Sequence, residues 1–302
     1  MPQVRVVDTT CLQQITGVGS VNATDRTFGI HGTDLGILWD AGDGRVFAMF
    51  GDTYGQGWGG HGAGPARAEW RTNALLSSRS TDLANDGLLF DSGVTRSGTN
   101  HAAQVIRRNR LNVPRVRFPE HTLIPNAGIT VDGTHYVQWM SVTYWGKRGR
   151  WRTFQAGIAL SGDDGRTWSK PLGGRWTNVF GRGRFQVGAF TRDDDWVYLF
   201  GTTNGRYGPA YLARVAPDRI ARAKAYRYWT GAGWSSRQSN AEPVIAGPVG
   251  ELSVAYHQGV GRWLALHLDE DRAAIVLRSA ARITGPWSAG EVAASGQDHP
   301  GL

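Results

Sequence analysis

Apolar positions along the chain fall in short runs rich in valine, isoleucine and aromatic residues. Gly, Asp and Asn turns separate them, and helical periodicity is scarce. The runs group. GILWD, RVFAMFGDT, TNALLSSRS and GLLFDSGV form a first set, and NAGITVDG, HYVQWMSVT, QAGIALS and TWSK a second. QVGAFTRD, WVYLFGTTN, AYLARVA and AYRYWTG follow, then ELSVAYHQG, RWLALHLDE, AAIVLRSA and GPWSAG. Repetition of three or four strands at a spacing of roughly 60 residues predicts β-propeller blades. Four blades are legible, and a fifth is expected from ITGVGSVNATDRTFGI together with the chain's end. The expected fold is therefore an all-β, five-bladed β-propeller, a single domain over residues 1–302. A two-sheet sandwich would not explain the repeat. The one segment with a fair helical pattern is PDRIARAKAY, residues 217–226.

The octapeptide SGDDGRTW, residues 161–168, fits the S-x-D-x-G-x-T-W pattern of an Asp-box. Asp163 is expected to bond turn amides and Trp168 to pack beneath the blade, a structural role.

Composition narrows the chemistry. Hydrophobic residues make up 40 % of 302 and charged residues 19 %, enough for a packed core. The net charge of +8 is almost all arginine, since Lys147, Lys170 and Lys224 are the only lysines. The densest basic run, IRRNRLNVPRVRF (106–118), carries no nucleic-acid-binding signature, so no nucleic-acid partner is expected. The charge favours adhesion to an anionic surface such as a cell wall. Cys11 is the sole cysteine, which excludes an internal disulfide. No run approaches membrane-spanning length and the N-terminus lacks a signal-peptide core, so delivery to a cell wall would rest on another route, such as phage release. No His/Cys cluster has metal-ligand spacing, no phosphate loop follows a strand, and Ser77, Ser78 and Ser80 lack a nucleophile elbow. Neither a metal nor a cofactor is expected.

The candidate chemistry lies in HGTDLGILWDAGDGRVFAMFGDTYG, residues 31–55. Asp34 and Asp52 are similar distances from the AGDG turn, so antiparallel pairing places both at the open end of one hairpin, each beside a glycine. The other groups repeat the arrangement at their first strands with Asn126, Gln186 and Glu251. Second strands return to Thr143 and Trp145, to Thr203, Asn204 and Arg206, and to His267 and Asp269. If the blades bring these rims together, the face holds carboxylates for chemistry, amides and arginine for hydroxyls, and aromatic rings for sugar faces. Thr53, Tyr54, Trp145, Asn204, Arg206 and His257 join Asn126 and Gln186 as candidate substrate-binding residues. Trp139 and Trp196 read as packing, and Asp193, Asp194 and Asp195 as a solvated turn.

GTDLG with FGDT, then IPNAGI, YWGKRGRW, FQVGAF, GTTNGRYGPAYLARV, VGELSVAY and GPWS occur in this order. Over about residues 15–290 the chain resembles the glycoside hydrolase family 183 endo-D-arabinanases. That resemblance implies a five-bladed propeller cleaving α-D-arabinofuranosyl linkages within mycobacterial arabinogalactan and lipoarabinomannan. It makes Asp34 and Asp52 the catalytic pair and Glu251 a third acidic member of the site. The partner implied is the arabinan polysaccharide, met by a monomer. Hydrolysis by two carboxyl groups needs one protonated and one ionised. Asp52 is preferred as acid and Asp34 as base over the reverse, with Glu251 tuning the pair or acting as the acid itself, and inversion is expected by analogy to other arabinan-cleaving propellers. A carbohydrate-binding propeller without catalysis is the alternative, sharing the aromatics and amides but not needing paired acids. A sialidase-like reading would need an arginine cluster that Arg206 with Tyr207 supplies only in part.

Overall fold

A computed structural model describes residues 4–108 and 120–298. The greater part of the basic run at 106–118 lies outside the described residues. The chain is all-β: a β-propeller whose blades are antiparallel meanders, with a single turn of α-helix, Thr24–Thr27, among the described residues. It divides into two compact units. One comprises Leu12–Ser141 and Ala159–Lys170; the other comprises Met1–Cys11, Val142–Ile158 and Pro171–Leu302.

The unit beginning at Leu12 holds the first meander, with strands Ile37–Asp40, Val46–Phe50, Ala74–Ser78 and Ser92–Gly93 in that order. Its first hairpin closes at AGDG because Gly42 and Gly44 adopt φ of 87° and 80°, which other residues rarely take. The three inner strands continue past a break into a second, three-stranded sheet, Gly32–Thr33, Thr53–Tyr54 and Trp70–Arg71. A core of Trp39, Phe47, Met49, Leu75, Leu123 and Trp139 lies on one side of the meander, with Trp168 packed against it. Phe28, Ile30, Ala48, Phe50 and Leu76 form a second core. Alternate residues of one strand thus enter different cores, as the two-residue period requires.

The next sheet is formed by Thr122–Val131, Thr134–Trp145, Trp151–Ser161 and Arg175–Thr177, and the division between units falls within its second and third strands. The unit containing the C-terminal half holds two further meanders. Val187–Arg192, Val197–Thr202, Ala210–Val215 and Arg227–Trp229 pair in order and are extended by Trp234–Ser235 and Pro243–Ile245. Leu252–His257, Arg262–Asp269, Ala274–Ala280 and Glu291–Ser295 form the last. Val197–Thr202 is buried at every position, matching the continuous apolar run VYLFGT. Their core joins Tyr198, Phe200, Leu212, Val254 and Trp263, with Trp196, Trp229, Trp234 and Trp287 packed against it. The Arg214 guanidinium lies 4.2 Å from the Trp196 ring centroid and 4.3 Å from that of Trp234.

The inner strands follow the sequence pattern, and the outer ones depart from it. In the second group TWSK makes one isolated bridge, Leu160 to Ser169, and Arg175–Thr177 takes the outer position. In the last group Glu291–Ser295 replaces GPWSAG. The described residues do form five sheets, but not from the expected fifth group. Residues 15–31 are turns and the short helix, while the chain's end is the outer strand of the last meander. The segment 217–226 forms two 3-10 turns, Pro217–Arg219 and Ala223–Ala225, rather than a helix. Ten residues are too few to sustain one without an apolar stripe to bury.

The Asp-box has its expected structural form. Asp163 accepts from the Thr167 amide at 2.9 Å and its hydroxyl at 2.6 Å, and Trp168 Nε1–H donates to Gly165 O at 2.8 Å. The Thr167 bonds hold the Asp163 carboxyl down at about 2. Asp193 is likewise a turn residue, accepting from the Trp196 amide at 2.8 Å and the Tyr198 hydroxyl at 2.8 Å.

In the unit beginning at Leu12, the Trp39 ring lies against Gly128, where an added Cβ would stand 2.2 Å from the ring. Gly128→Ala should therefore destabilise the protein by about 1–3 kcal/mol. Gly162→Ala, which meets nothing within 4 Å, should stay within about 0.5 kcal/mol of the parent. Thermal unfolding of both variants checks this, and equal melting temperatures would refute it.

Candidate active site

The two aspartates of the opening hairpin stand at opposed positions of its two strands. Thr33 pairs with Thr53 beyond the break and Ile37 with Met49 before it, the same register on either side. Asp34, Leu35 and Gly36 therefore stand against Asp52, Gly51 and Phe50. The break arises at Leu35, whose φ of 54° is left-handed and strained for a branched side chain. The local bonds change accordingly: Asp34 N–H donates to Asp52 O at 3.3 Å, and Gly51 N–H to Asp34 O at 2.9 Å.

Glycine beside each acid has a steric reason at Gly51. An added Cβ there would lie 2.3 Å from Asp34 Oδ1, so the Asp34 carboxylate occupies the space a side chain would fill.

The two acids have different surroundings. Asp34 is exposed, whereas Asp52 is 8 % exposed. One oxygen of Asp52, Oδ1, accepts both from Thr122 Oγ1–H at 2.6 Å and from Trp70 Nε1–H at 3.1 Å. Burial raises the Asp52 carboxyl above the usual carboxylate range, against the pull of these two bonds and of the Arg108 charge. Arg108 lies over the Trp70 ring, 5.0 Å from its centroid. Tyr54 shares the Asp52 face by strand alternation. Burial and the charges of Asp52 and Asp34 push its hydroxyl up to about 12. Thr53 is fully buried, with its hydroxyl donated to Gly51 O at 2.8 Å, and holds the backbone rather than facing a ligand. Asn126 lies on the Thr122 strand, 8 % exposed, and donates to Gln138 Oε1 at 2.8 Å.

The other unit gathers Glu251, Arg206, Asn204 and Trp145. Arg206 donates to Glu251 Oε1 through Nη2 at 2.8 Å and Nε at 3.0 Å, and approaches Glu270 Oε2 at 3.5 Å. Its guanidinium stands 5.8 Å from the Trp151 ring centroid, and Trp145 meets Trp151 edge-on at 6.1 Å. Asn204 Nδ2–H donates to Trp151 O at 2.6 Å. Glu251 is thus an ion-paired carboxylate whose Oε2 is enclosed without a hydrogen-bond partner.

Two candidates fall outside these groupings. Gln186 is fully buried, accepting from the Thr153 hydroxyl at 2.8 Å, so its amide braces strands instead of meeting a ligand. His257 ends the strand that Glu251 precedes, roughly 20 Å along it, and its Nδ1 accepts from the Val260 amide at a turn. His267 is buried and accepts from Arg278 Nε at 3.1 Å. Sequence reasoning missed Trp70, Thr122 and Arg108. Trp70 was recoverable, since a strand returning beside FGDT must place a residue opposite Tyr54. Thr122 was not, because its bond to Asp52 spans 70 positions. Among the described residues no group of three or more His, Cys, Asp or Glu side chains is placed to hold a metal ion.

The Domain of unknown function DUF4185 matches residues 19–302. The chain belongs to this family. Notoamide biosynthesis cluster protein J' of Aspergillus versicolor is similar to this DUF4185 chain, at 30 % identity over 281 residues, 90 % of this chain and 74 % of the relative. Notoamide biosynthesis cluster protein J of Aspergillus sp. (strain MF297-2) is 29 % identical over 282 residues, 90 % of this chain and 73 % of its own. Among solved structures, a proposed hydrolase from Bacteroides ovatus superposes with a TM-score of 0.59 at 13 % identity, covering 89 % of this chain and 71 % of that one. A xylan β-1,4-xylosidase from Bacillus halodurans superposes with a TM-score of 0.52 at 12 % identity, covering 89 % and 44 %. These likenesses show that the DUF4185 chain shares their fold.

Asp52→Asn should raise the melting temperature at neutral pH. Asparagine keeps an Oδ1 acceptor for Thr122 and Trp70 and removes a buried charge. The sign follows from the raised pKa. Stability from the protonated carboxyl is fully present below the ordinary carboxylate value and is lost as pH rises through the higher folded value. The gain should therefore vanish in acid, and a gain that persists there would refute the assignment.

Proposed function

We propose that this chain is an endo-acting glycoside hydrolase that cleaves α-D-arabinofuranosyl linkages in arabinan, with Asp52 as acid and Asp34 as base. The observation that carries the reading is the pairing of a buried, raised carboxyl with an exposed one at opposed positions of one hairpin. Hydrolysis of a glycoside needs that asymmetry. Asp52, whose carboxyl burial raises above the usual carboxylate range, gives its proton to the glycosidic oxygen as the bond to the anomeric carbon breaks. Thr122 and Trp70 both hold Oδ1, which leaves Oδ2 for the proton in flight. Asp34 takes a proton from water as that water attacks the anomeric carbon. Attack from the face opposite the leaving group inverts the configuration and calls for carboxyl groups about 6.5–9.5 Å apart. The choice of arabinan, including mycobacterial arabinogalactan and lipoarabinomannan, rests on the motif resemblance to family 183.

The test is incubation of the purified protein with mycobacterial arabinogalactan and sizing of the products. Short arabino-oligosaccharides are expected, with Asp34→Asn and Asp52→Asn each lowering the rate at least about 100-fold. The rate should also fall as pH rises through the elevated pKa of Asp52, a limb that Asp52→Asn removes. Products from an Asp34→Asn protein at the parent rate would sink the mechanism. Tight binding of arabinan with no cleavage would favour a binding propeller.

Gly51→Ala offers a sharper check on geometry. The added methyl must displace the Asp34 carboxylate, the mobile end of a side chain, so the fold should survive while activity falls. A melting point near the parent's with at least tenfold lower kcat is expected; unchanged kcat would remove Asp34 from the reaction.

A further inference from the structure

Beside the acid hairpin, in the same unit, lies a cavity of about 430 Å³. That volume is within the range of small-molecule sites, about 300–1,000 Å³. Its walls come from Gln14 and Val18 of the N-terminal arm, His31 and Thr33 of the first strand, and Trp58 and Gly60 of the glycine-rich loop that follows Tyr54. None of the lining residues is Asp, Glu, Lys or Arg, in a chain of net charge +8.

Trp58 is fixed in this wall by three contacts. Its ring lies on the backbone at Gly32, where an added Cβ would stand 2.0 Å from the indole. It stacks on Tyr54 with ring centroids 5.4 Å apart and planes 11° from parallel. Its Nε1–H donates to Gly62 O at 3.0 Å. With the polar edge bonded, what Trp58 offers the cavity is ring surface, and the residue is half-buried rather than covered. Tyr54 and Asp52 alternate onto one side of the strand that pairs with Gly32 and Thr33. Trp58, stacked on Tyr54, therefore stands on the Asp52 side of the hairpin, one strand repeat away from that acid.

We infer that this cavity is a binding subsite for an uncharged glycosyl unit next to the one being cleaved, with Trp58 as its stacking platform. The inference rests on the hydrolase reading for the meaning of "next to", but the binding itself does not. An aromatic ring held flat among uncharged polar groups matches a sugar, whose C–H face is apolar and whose hydroxyl rim is polar. An anionic sugar would find no lysine or arginine in the wall.

The experiment uses full-length Asp52→Asn protein, so that binding is read at equilibrium, titrated with neutral arabino-oligosaccharides and followed by calorimetry. Trp58→Ala and, separately, Val18→Trp are added to that background. Val18 lines the cavity and is 64 % exposed, so the larger ring narrows the cavity from the N-terminal arm without disturbing a core. Each addition should weaken binding at least tenfold, and each alone in the cleaving protein should raise KM more than it lowers kcat. A uronic-acid oligosaccharide should bind at least tenfold more weakly than a neutral one of equal length. Unchanged affinity in both variants, or no binding of any neutral oligosaccharide, would overturn the subsite. If the parent cleaves no arabinan yet Trp58→Ala and Val18→Trp still abolish neutral-sugar binding, the subsite stands and the hydrolase reading falls. If cleavage proceeds and neither variant moves affinity or KM, the subsite alone falls.

Discussion

A carboxylate removed from water is the constraint around which the acid hairpin is organised. Burying an ionised carboxylate without partners costs several kcal/mol, so the group either gains donors or keeps its proton. Asp52 gains donors, since Thr122 and Trp70 donate to one oxygen, and burial still raises its pKa. Those donors come from different places. Trp70 is on the strand paired with Thr53–Tyr54, and Thr122 opens the first strand of the next sheet. A single buried side chain thus requires three segments distant in sequence to be correctly registered, which ties the chemistry of the hairpin to the packing of its unit.

Much of this hairpin was legible from residue order. Two aspartates equidistant from a glycine-bearing turn must meet if the strands pair without a shift, and the register is the same on both sides of the break. The inner strands of each meander were legible because buried strands carry apolar runs. Outer strands were not: Arg175–Thr177 and Glu291–Ser295 are short and partly exposed, and TWSK and GPWSAG looked equally suitable. The candidate residues divided for a related reason. An amide beside a strand reads the same whether it faces a ligand or a neighbouring strand, and only the fold sends Gln186 inward to Thr153. His257 shares a strand with the position after Glu251, yet distance along that strand separates them.

The glycine beside each acid, the feature that first set this hairpin apart, has two separate physical origins. At Gly51 the absence of a side chain makes room for a carboxylate from the facing strand. At Gly32, two residues before Asp34, it makes room for an indole ring. Neither position needs glycine for its dihedral angles; both need it for close approach. A sequence displays the glycine and hides its neighbour, which is why Trp58, sitting in a loop with no periodicity, carried no signal of its own.

Asymmetry between the acids follows from the same hairpin. Directly opposed carboxylates in equal surroundings would titrate as a coupled pair with no built-in division of labour. Here the strained residue Leu35 interrupts the ladder beside Asp34, while the Asp52 side is covered by Trp70 and Thr122. One carboxyl lies on an exposed residue and the other is drawn into the protein. The difference between the two carboxyls is then set by backbone geometry rather than by residue type, since both residues are aspartate. The same stretch of chain carries Tyr54 on the Asp52 strand and Trp58 on the loop that continues it, so that aromatic surface and buried carboxyl are delivered together.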